Sequence, residues 1–329
     1  MTDTTFKALV VEELDGQYIS SIKTRNIDDL PEGDLLVKVC CSSLNYKDAL
    51  SASGNKGVTR SYPHTPGIDA AGTVVSDASG TFQPGDEVIV TSYDLGMNTD
   101  GGYGGYIRVP AEWAVALPHG LSHEESMMLG TAGLTAAQSI HALAEKVSPD
   151  NGPILVTGAT GGVGSLAVAM LASLGYQVTA LTGKSSSEPY LKQLGATEII
   201  DRKTFVEQNS KPMSKPVWAG AIDTVGGDIL TSALKSTGPL GVVTCCGMVG
   251  SADLNMTVFP FILRGVSLVG IDSQSCPMTL RNELWQKMAS DWKPAQLAEI
   301  IDAIDLEQLP EAIEQILAGT HQGRKLVRL

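Results

Sequence analysis

The stretch ILVTGATGGVGSLAVAMLASLGYQV, residues 154–178, decides the fold of this 329-residue chain. An apolar strand runs into the glycine-rich segment 158–164, and an apolar helix follows at once. Glycines let the backbone turn tightly and approach a pyrophosphate without a Cβ in the way, while the helix N-terminus presents free N–H groups. The flanking strand and helix supply the context that a lone glycine triplet lacks. The segment therefore predicts a dinucleotide-binding turn, with these residues at the phosphates: Thr160, Gly161, Gly162 and Val163.

Strand and helix patterns alternate on the C-terminal side of this turn, as far as GVSLVGID at 265–272. Such alternation indicates right-handed βαβ units and a parallel sheet with helices on both faces. The first third of the chain instead shows short β-rich runs separated by Gly/Pro/Asp turns, which predict a small barrel-like β domain. A capping box, Ser122 with Glu125, predicts a helix start between the two. The tail holds two helical patterns and a final strand, RKLVRL, which return to the first domain.

The loop after the second strand of the parallel sheet sets the choice of dinucleotide. NAD enzymes place Asp or Glu there to bind the ribose 2′-hydroxyl. This chain instead has Thr182-Gly183-Lys184 and no acid before Glu188. A carboxylate would repel a 2′-phosphate, whereas a lysine and hydroxyls bind one, so the loop predicts NADPH. Lys184 as a solvated loop lysine is the alternative, and Arg202 either reaches the same phosphate or adenine or is a surface arginine.

Composition excludes several other classes of protein. The net charge is −13 and no Lys/Arg-rich run is present, which disfavours nucleic acid as a partner because that affinity rests on phosphate neutralisation. The five cysteines are odd in number and include two adjacent pairs, unlike a disulfide framework. The N-terminus lacks a signal-peptide pattern and no apolar run is long enough to cross a membrane. A cytoplasmic protein is expected.

Six segments carry a resemblance to a known superfamily. They are Asn45-Tyr46-Lys47-Asp48, Pro66-Gly67-Ile68-Asp69-Ala70-Ala71-Gly72, Pro84-Gly85-Asp86-Glu87-Val88, Gly130-Thr131-Ala132-Gly133-Leu134-Thr135-Ala136, Asp223-Thr224-Val225-Gly226-Gly227 and Phe259-Pro260-Phe261-Ile262-Leu263-Arg264-Gly265. With a β domain first and a Rossmann segment second, the chain resembles medium-chain dehydrogenases/reductases, and within them the quinone oxidoreductase-like branch that includes NADPH-dependent acrylyl-CoA reductase. The resemblance implies a GroES-like catalytic domain over 1–122 and 272–329, and a Rossmann domain with a doubly wound parallel sheet over 123–271.

Zinc ligands of the superfamily's alcohol dehydrogenases are missing from the matching positions. Asn45 and Gly67-Ile68-Asp69 stand where Cys and Gly-His-Glu are expected, and neither Asn nor Ile is a credible zinc ligand. No metal is therefore expected. Without a Lewis acid, making an alkoxide from an alcohol at neutral pH is difficult. Hydride transfer to the β-carbon of a Michael acceptor requires only hydrogen-bond donors at the enolate oxygen and a proton for the α-carbon.

The resemblance also implies site residues. Tyr46 lies at the nicotinamide cleft, where its phenol binds cofactor or substrate or donates a proton, unless it is a packing tyrosine. Asn45 orients the substrate carbonyl or holds the loop. Asp69 is expected to be structural. The resemblance places three further residues at the nicotinamide, unless they are sheet core: Cys246, Ile271 and Ser273. Tyr103 and Tyr106 belong to a glycine-rich segment that forms either a flexible cleft wall or a plain β-turn.

The substrate stays open between acrylyl-CoA, another enone and a quinone. A CoA thioester would need cations for its phosphates, and four residues are candidates: Lys47, Lys56, Arg60 and Arg264. A non-catalytic NADPH-binding redox sensor and a zinc alcohol dehydrogenase are the alternatives. A homodimer is expected, with strand edges near GVSLVGID pairing across a two-fold axis, because an unpaired apolar edge is a liability.

Overall fold

The computed structural model describes residues 4–329. The strands are β1 Thr5–Leu14, β2 Gln17–Asn26, β3 Leu35–Leu44, β4 Asp69–Asp77, β5 Glu87–Thr91, β6 Tyr106–Val109, β7 Ala114–Ala116, β8 Ile154–Thr157, β9 Val178–Thr182, β10 Glu198–Asp201, β11 Trp218–Asp223, β12 Thr237–Cys245, β13 Ser267–Gly270, β14 Ile301–Asp305 and β15 Arg324–Arg328. The helices are α1 Tyr46–Ala52, α2 His123–Ala144, α3 Gly162–Ser173, α4 Glu188–Gln193, α5 Arg202–Gln208, α6 Gly227–Ser236, α7 Phe259–Arg264, α8 Met278–Met288 and α9 Leu309–Leu317.

Two compact units make up the described chain. The first contains the described residues up to Thr131 with Gln274–Ala289 and Ile301–Leu329, and the second contains Ala132–Ser273 and Ser290–Ile300. The sequence-based boundaries after residues 122 and 271 stay a prediction.

The first unit is built on an antiparallel sheet in the order β14-β15-β3-β4-β5-β7, with β6 also paired to β3. In the middle of β3, Val37 and Val39 are buried whereas Lys38 and Cys40 are exposed, so here one face packs into a core and the other meets solvent. Among the described residues of this sheet, β14 and β15 pair in parallel, and β15 pairs antiparallel with β3. The C-terminal strand therefore joins the sheet of the first unit, while the assignment of the whole tail to that domain stays a prediction.

The second unit contains a fully parallel sheet in the order β10-β9-β8-β11-β12-β13. Both faces of such a sheet are covered, and β8 and β9 are buried at every position. This strand order is that of a sheet built from two mononucleotide-binding halves. Such a sheet binds its dinucleotide where the strand order reverses, which here is beside β8. The predicted doubly wound Rossmann sheet is confirmed.

Helix α2 begins at the predicted capping box. The Ser122 amide donates to Glu125 Oε2 at 3.0 Å, and the Glu125 amide donates to Ser122 Oγ at 3.1 Å. Gly130 interrupts the helix with φ 53° and ψ −156°, so the axis kinks there. Within residues 4–329, neither this helix nor another has the length and apolarity to cross a membrane.

Sequence reasoning missed β2, which pairs with β1 over its whole length. Its half-buried residues show no clean alternation. The Asp15-Gly16 turn, with φ 51° and 77°, was the available signal, because an Asp-Gly pair favours the tight turn of a two-residue hairpin.

Candidate active site

The predicted phosphate cradle forms as β8 passes into α3. Gly158 adopts φ 58°, a left-handed conformation that favours glycine. A Cβ on Gly164 would lie against the Gly158 carbonyl oxygen and 2.8 Å from Ala159 Cα, so only glycine lets the helix approach the turn this closely. Gly161 caps α3, and Gly162 and Val163 are its first residues. The backbone amides of this first turn lack acceptors within the helix, which suits a pyrophosphate.

Two cations lie beside the ends of β9 and β10. Thr182 is buried, and its Oγ1 accepts a hydrogen bond from the Lys184 amide at 3.0 Å. A Cβ on Gly183 would lie 3.1 Å from the Arg202 guanidinium carbon, so the arginine covers this glycine. Because β9 and β10 run parallel with Thr182 opposite Asp201, Lys184 and Arg202 extend from the same edge of the sheet. Burial lowers the pKa of Lys184.

The remaining predicted cofactor residues of the second unit follow β12 and β13. The Cys246 amide donates to the Asp223 carbonyl at 3.0 Å, and the Ile271 amide donates to the Cys245 carbonyl at 3.0 Å. Ser273 Oγ accepts from Thr135 Oγ1 at 2.8 Å. Burial raises the pKa of Cys246 to about 12, which keeps it a thiol at neutral pH. The carboxyl edge of one sheet thus carries every second-unit residue that the sequence singled out for NADPH.

Asp223 is a buried residue of this edge that sequence reasoning did not assign a role. Its carboxylate accepts hydrogen bonds from Thr157 Oγ1 at 2.6 Å and from the Gly226 amide at 2.7 Å. It therefore ties the end of β8 to the turn after β11, on either side of the point where the strand order reverses. The spacing Asp223-x-x-Gly226 was its only sequence signal.

Asn45 and Tyr46 begin α1 in the first unit. The Asn45 amide nitrogen donates to Asp69 Oδ2 at 2.8 Å, and its Oδ1 accepts from Arg324 Nη1 at 2.8 Å. Of its two predicted roles, the contacts of Asn45 correspond to holding the loop, and a contact with substrate stays a prediction. Tyr46 is 43% exposed, more than a core-packing tyrosine would be.

A polar cluster lies beneath these two residues. It contains Asp48, Asp69 and Arg324, all at most 3% exposed. Asp69 accepts from Ser43 Oγ at 2.5 Å and from Thr131 Oγ1 at 2.6 Å, contacts that correspond to its expected structural role. Its Oδ2 lies 3.8 Å from Arg324 Nη2.

Asp48 receives more hydrogen bonds than an exposed carboxylate usually does. Its donors include the backbone amides of Asn45 and Ile68, both at 2.8 Å, and the Tyr103 hydroxyl at 3.0 Å. Burial, with the neighbouring charge of Asp69, raises the pKa of Asp48 to about 7, although these hydrogen bonds favour the ionised form.

Tyr103 is fully buried, so the prediction of a flexible cleft wall at this residue is wrong. Its hydroxyl is held by Asp48, and its backbone carbonyl accepts from the Leu9 amide at 2.8 Å. Tyr106 lies in β6 and contacts Phe6 with ring centroids 5.6 Å apart. The glycines between them pack closely on the side chains of Phe6 and Ala8, which the sequence could not distinguish from flexibility.

The four candidate CoA-binding cations differ in their surroundings. Arg264 donates to the carbonyls of Lys235, Thr237 and Ser214 at 2.5–3.0 Å, so its guanidinium is committed to backbone and its candidacy is withdrawn. Lys56 pairs with Glu13 at 2.7 Å. Lys47 donates to Gln274 Oε1 at 2.7 Å, and Arg60 is exposed.

Within residues 4–329, no group of three or more His, Cys, Asp or Glu side chains is arranged to hold a metal ion. The buried amide of Asn45 and the carboxylate of Asp69, which replace the expected ligand types, are both engaged in hydrogen bonds. The absence of a catalytic metal stays a prediction.

Comparison with known proteins assigns both units to one superfamily. The "Alcohol dehydrogenase GroES-like domain" family model matches residues 31–119, and the "Zinc-binding dehydrogenase" model matches residues 162–290. "Putative quinone oxidoreductase YhfP" of Bacillus subtilis is 48% identical over 328 residues, covering 99% of each chain. "Acrylyl-CoA reductase AcuI" of Ruegeria pomeroyi is 42% identical, covering 98% of each.

Solved structures agree with these relatives. Bacillus subtilis yhfP with NAD bound superposes with a TM-score of 0.97 at 48% identity, covering 99% of this chain and all of that one. The yhdH oxidoreductase of Salmonella enterica in complex with NADP gives 0.95 at 43% identity, covering 98% and 99%. The fold and site therefore belong to a two-domain oxidoreductase. The chain is a member of the medium-chain dehydrogenase/reductase superfamily, within the branch of YhfP and AcuI, and the predicted GroES-like plus Rossmann architecture is confirmed.

Proposed function

We propose that the chain is an NADPH-dependent reductase of activated carbon–carbon double bonds, with acrylyl-CoA or a related enoyl or enone compound as its substrate. The observation that carries the proposal is its 42% identity to an acrylyl-CoA reductase over nearly the whole of both chains. The glycine cradle and the two cations beside Gly183 support the dinucleotide part of the proposal. The relatives were solved with NADP and with NAD, so the preference for NADPH rests on Lys184 and Arg202.

The residues at the carboxyl edge of the Rossmann sheet would hold the cofactor. The amides of the first turn of α3 would bind the pyrophosphate, with Thr160 beside them, and Lys184 and Arg202 would bind the 2′-phosphate. Cys246, Ile271 and Ser273 would line the nicotinamide side. When bound, NADPH supplies the hydride for the β-carbon of the acceptor.

Tyr46 would act at the reacting centre from the first unit. Its position at the start of α1 is fixed because Asn45, the preceding residue, is held by Asp69 and Arg324. Its half-exposed ring leaves the phenol available to donate a hydrogen bond to cofactor or substrate, or to supply the proton for the α-carbon.

A quinone is the second candidate substrate, favoured by the 48% identity to YhfP. Quinone and enone share the carbonyl-conjugated acceptor that a hydride donor reduces. A CoA thioester would in addition need phosphate contacts, for which the exposed Arg60 and Lys47, which donates to Gln274, remain candidates.

We also propose that the active form is a homodimer in a reducing cytoplasm. Strand β13 is the edge of the six-stranded sheet, and α7 just before it exposes Ile262 and Leu263 at 70% and 67%. An apolar edge of this kind suits pairing with a second copy. All five cysteines are unpaired thiols, which is usual in reducing compartments.

Oxidation of NADPH and NADH at the reduced-nicotinamide absorbance tests the activity with acryloyl-CoA, a free enone and a quinone. We expect turnover of acryloyl-CoA with NADPH, and a loss of about tenfold in NADPH affinity for Lys184→Ala with NADH affinity unchanged. Turnover of the quinone alone would remove the CoA assignment. Tight NADPH binding without turnover of any acceptor would overturn the enzyme proposal in favour of a redox sensor, and one zinc per purified chain would favour an alcohol dehydrogenase.

A further inference from the structure

Two consecutive non-glycine residues adopt left-handed backbone conformations directly after β5. Ser92 has φ 64° and Tyr93 has φ 51°. This region is sparsely populated by residues that carry a Cβ, and such conformations persist only where surrounding contacts impose them, often at functional sites. The backbone turns here instead of continuing the strand. The backbone conformations of Ser92 and Tyr93, and not the alternation of the sheet, therefore set the direction of the Tyr93 side chain.

The Tyr93 ring is fixed by two neighbours. Trp113 stacks on it with centroids 5.5 Å apart and planes inclined by 11°. The Arg281 guanidinium lies 4.4 Å from the ring centroid, within the range of a cation–π interaction. Arg281 is fully buried and donates to the Thr91 carbonyl at 2.8 Å, so it is itself immobilised.

Tyr93 is nevertheless only half-buried, and among residues 4–329 its hydroxyl has no hydrogen-bond partner. A phenol that is rigidly positioned yet unpaired is suited to donating to a ligand, because little side-chain entropy is lost on binding.

Tyr93 and Tyr46 are also anchored to the same carboxylate. Ser92 Oγ lies 2.8 Å from Thr131 Oγ1, which donates to Asp69 Oδ1 at 2.6 Å. Asp69 Oδ2 accepts from the amide nitrogen of Asn45. The residue before each tyrosine is thereby linked to Asp69.

The sheet register places the two tyrosines at one edge. Asp69 on β4 pairs with Thr91, the last residue of β5. Ser43 near the end of β3 bonds Asp69 from the other side at 2.5 Å. Both strands thus leave the sheet beside Asp69, one toward Tyr46 and the other toward Tyr93.

We propose that Tyr93 is a second substrate-binding residue, whose hydroxyl donates a hydrogen bond to the carbonyl oxygen of the acceptor. The inference rests on the proposed function. As hydride adds to the β-carbon, the electron pair of the double bond moves to form the enolate, and negative charge develops on this oxygen. The Tyr93 hydrogen bond strengthens as that charge grows, while its proton stays on the phenol. Because this hydrogen bond needs a carbonyl oxygen, the site would favour acceptors whose double bond is conjugated to a carbonyl group.

Tyr93→Phe tests the proposal because it removes only the hydroxyl and keeps the stack on Trp113. With NADPH and the best acceptor, we expect kcat/KM to fall about tenfold or more, since the lost hydrogen bond is to a developing charge. The NADPH dissociation constant should stay unchanged. Tyr106→Phe, at another half-buried tyrosine of the same unit, is the matched control and should retain full kcat/KM. A kcat/KM within twofold of wild type, or an equal loss in NADPH affinity, would overturn the role of Tyr93.

Calorimetric binding of propionyl-CoA to the NADP⁺-loaded protein supplies a readout that needs no turnover. This saturated thioester carries the same carbonyl, and Tyr93→Phe should weaken its binding several-fold. If wild type reduces no acceptor but this weakening is seen, the reductase proposal fails and the role of Tyr93 stands. If wild type turns over acceptor and the variant matches it in both assays, the reductase proposal stands and the role of Tyr93 fails. If wild type shows neither turnover of acceptor nor binding of propionyl-CoA, both proposals fail.

Discussion

The glycine cradle of the Rossmann unit and the polar cluster of the first unit are built by opposite means. The cradle depends on side chains that are absent: a Cβ on Gly164 would collide with the turn after β8. The cluster depends on side chains that are present: Asp48, Asp69 and Arg324 are buried, and each is hydrogen-bonded to the Asn45 side chain. A backbone site is specified by a few adjacent residues, whereas a side-chain cluster draws its members from distant parts of the chain. The two should therefore fail differently when they are changed.

The largest expected effect is on the cluster. Arg324→Met leaves Asp69 without its cation and Asn45 Oδ1 without its donor, both in a buried setting. Removing one partner of a buried charge pair costs about 3–5 kcal/mol of unfolding free energy. Chemical denaturation at constant pH measures it.

Arg328→Met on the same strand is the matched control. Arg328 is 54% exposed in its side chain and pairs with Glu124 at 2.8 Å, and a surface pair of this kind contributes little to stability because solvent and salt screen it. Equal losses for the two variants would mean that the buried cluster does not stabilise the first unit more than a surface pair.

The next effect is on the pH dependence of the unfolding free energy. We expect this dependence from the polar cluster and not from the cradle. Because the pKa of Asp48 is raised from 3.8 to about 7 by folding, the folded state binds this proton more tightly than the unfolded state. The contribution is fully present below about pH 4 and is lost as pH rises through about 7, on the order of 4 kcal/mol.

Denaturation curves across pH 4 to 8 check this dependence in wild type and Asp48→Asn. The variant should be less stable at every pH, because an amide cannot accept from all the donors around Asp48, and it should show a flatter profile. A profile as steep as that of wild type would assign the titration to another group.

The smallest effect on stability is expected in the cradle. A change there should instead act mainly on cofactor binding. Gly164→Ala places a Cβ against Gly158 and Ala159 and should cost about 1–2 kcal/mol through overpacking. NADPH affinity, measured by fluorescence titration, should fall by more than tenfold because α3 is displaced from the turn.

Gly270→Ala, at a glycine of β13 in the same unit, is the control, since a Cβ there meets no atom within 4 Å. If Gly164→Ala bound NADPH as tightly as Gly270→Ala, close approach of helix and turn would not be needed for the cofactor.

The same contrast explains how much of the molecule could be predicted from its sequence. The cradle, the strand alternation and the start of α2 depend on neighbouring residues, and each was visible as a local pattern. Tyr46 and Asn45 were found through a resemblance. Arg324 could not be found, because it lies 279 positions along the chain from Asn45 and meets it only when β15 pairs with β3. For Tyr103 the sequence left a flexible cleft wall and a plain β-turn open, because glycines on both sides are compatible with either, whereas here they allow tight packing on Asp69 and Phe6.

The effect of substituting Gly130 depends on which residues occupy several neighbouring positions. A Cβ at this kink would lie 2.5 Å from Asp69 Oδ2, 2.7 Å from Arg324 Nη2 and 2.7 Å from Ser43 Oγ. A larger residue meets these atoms for as long as the cluster is intact, and it also strains the left-handed backbone at this position whatever surrounds it. The order in which changes arise then matters: the same alanine at position 130 is more harmful on a background that keeps the cluster than on one that has lost it. Relatives that differ at this helix break should differ at its polar neighbours as well.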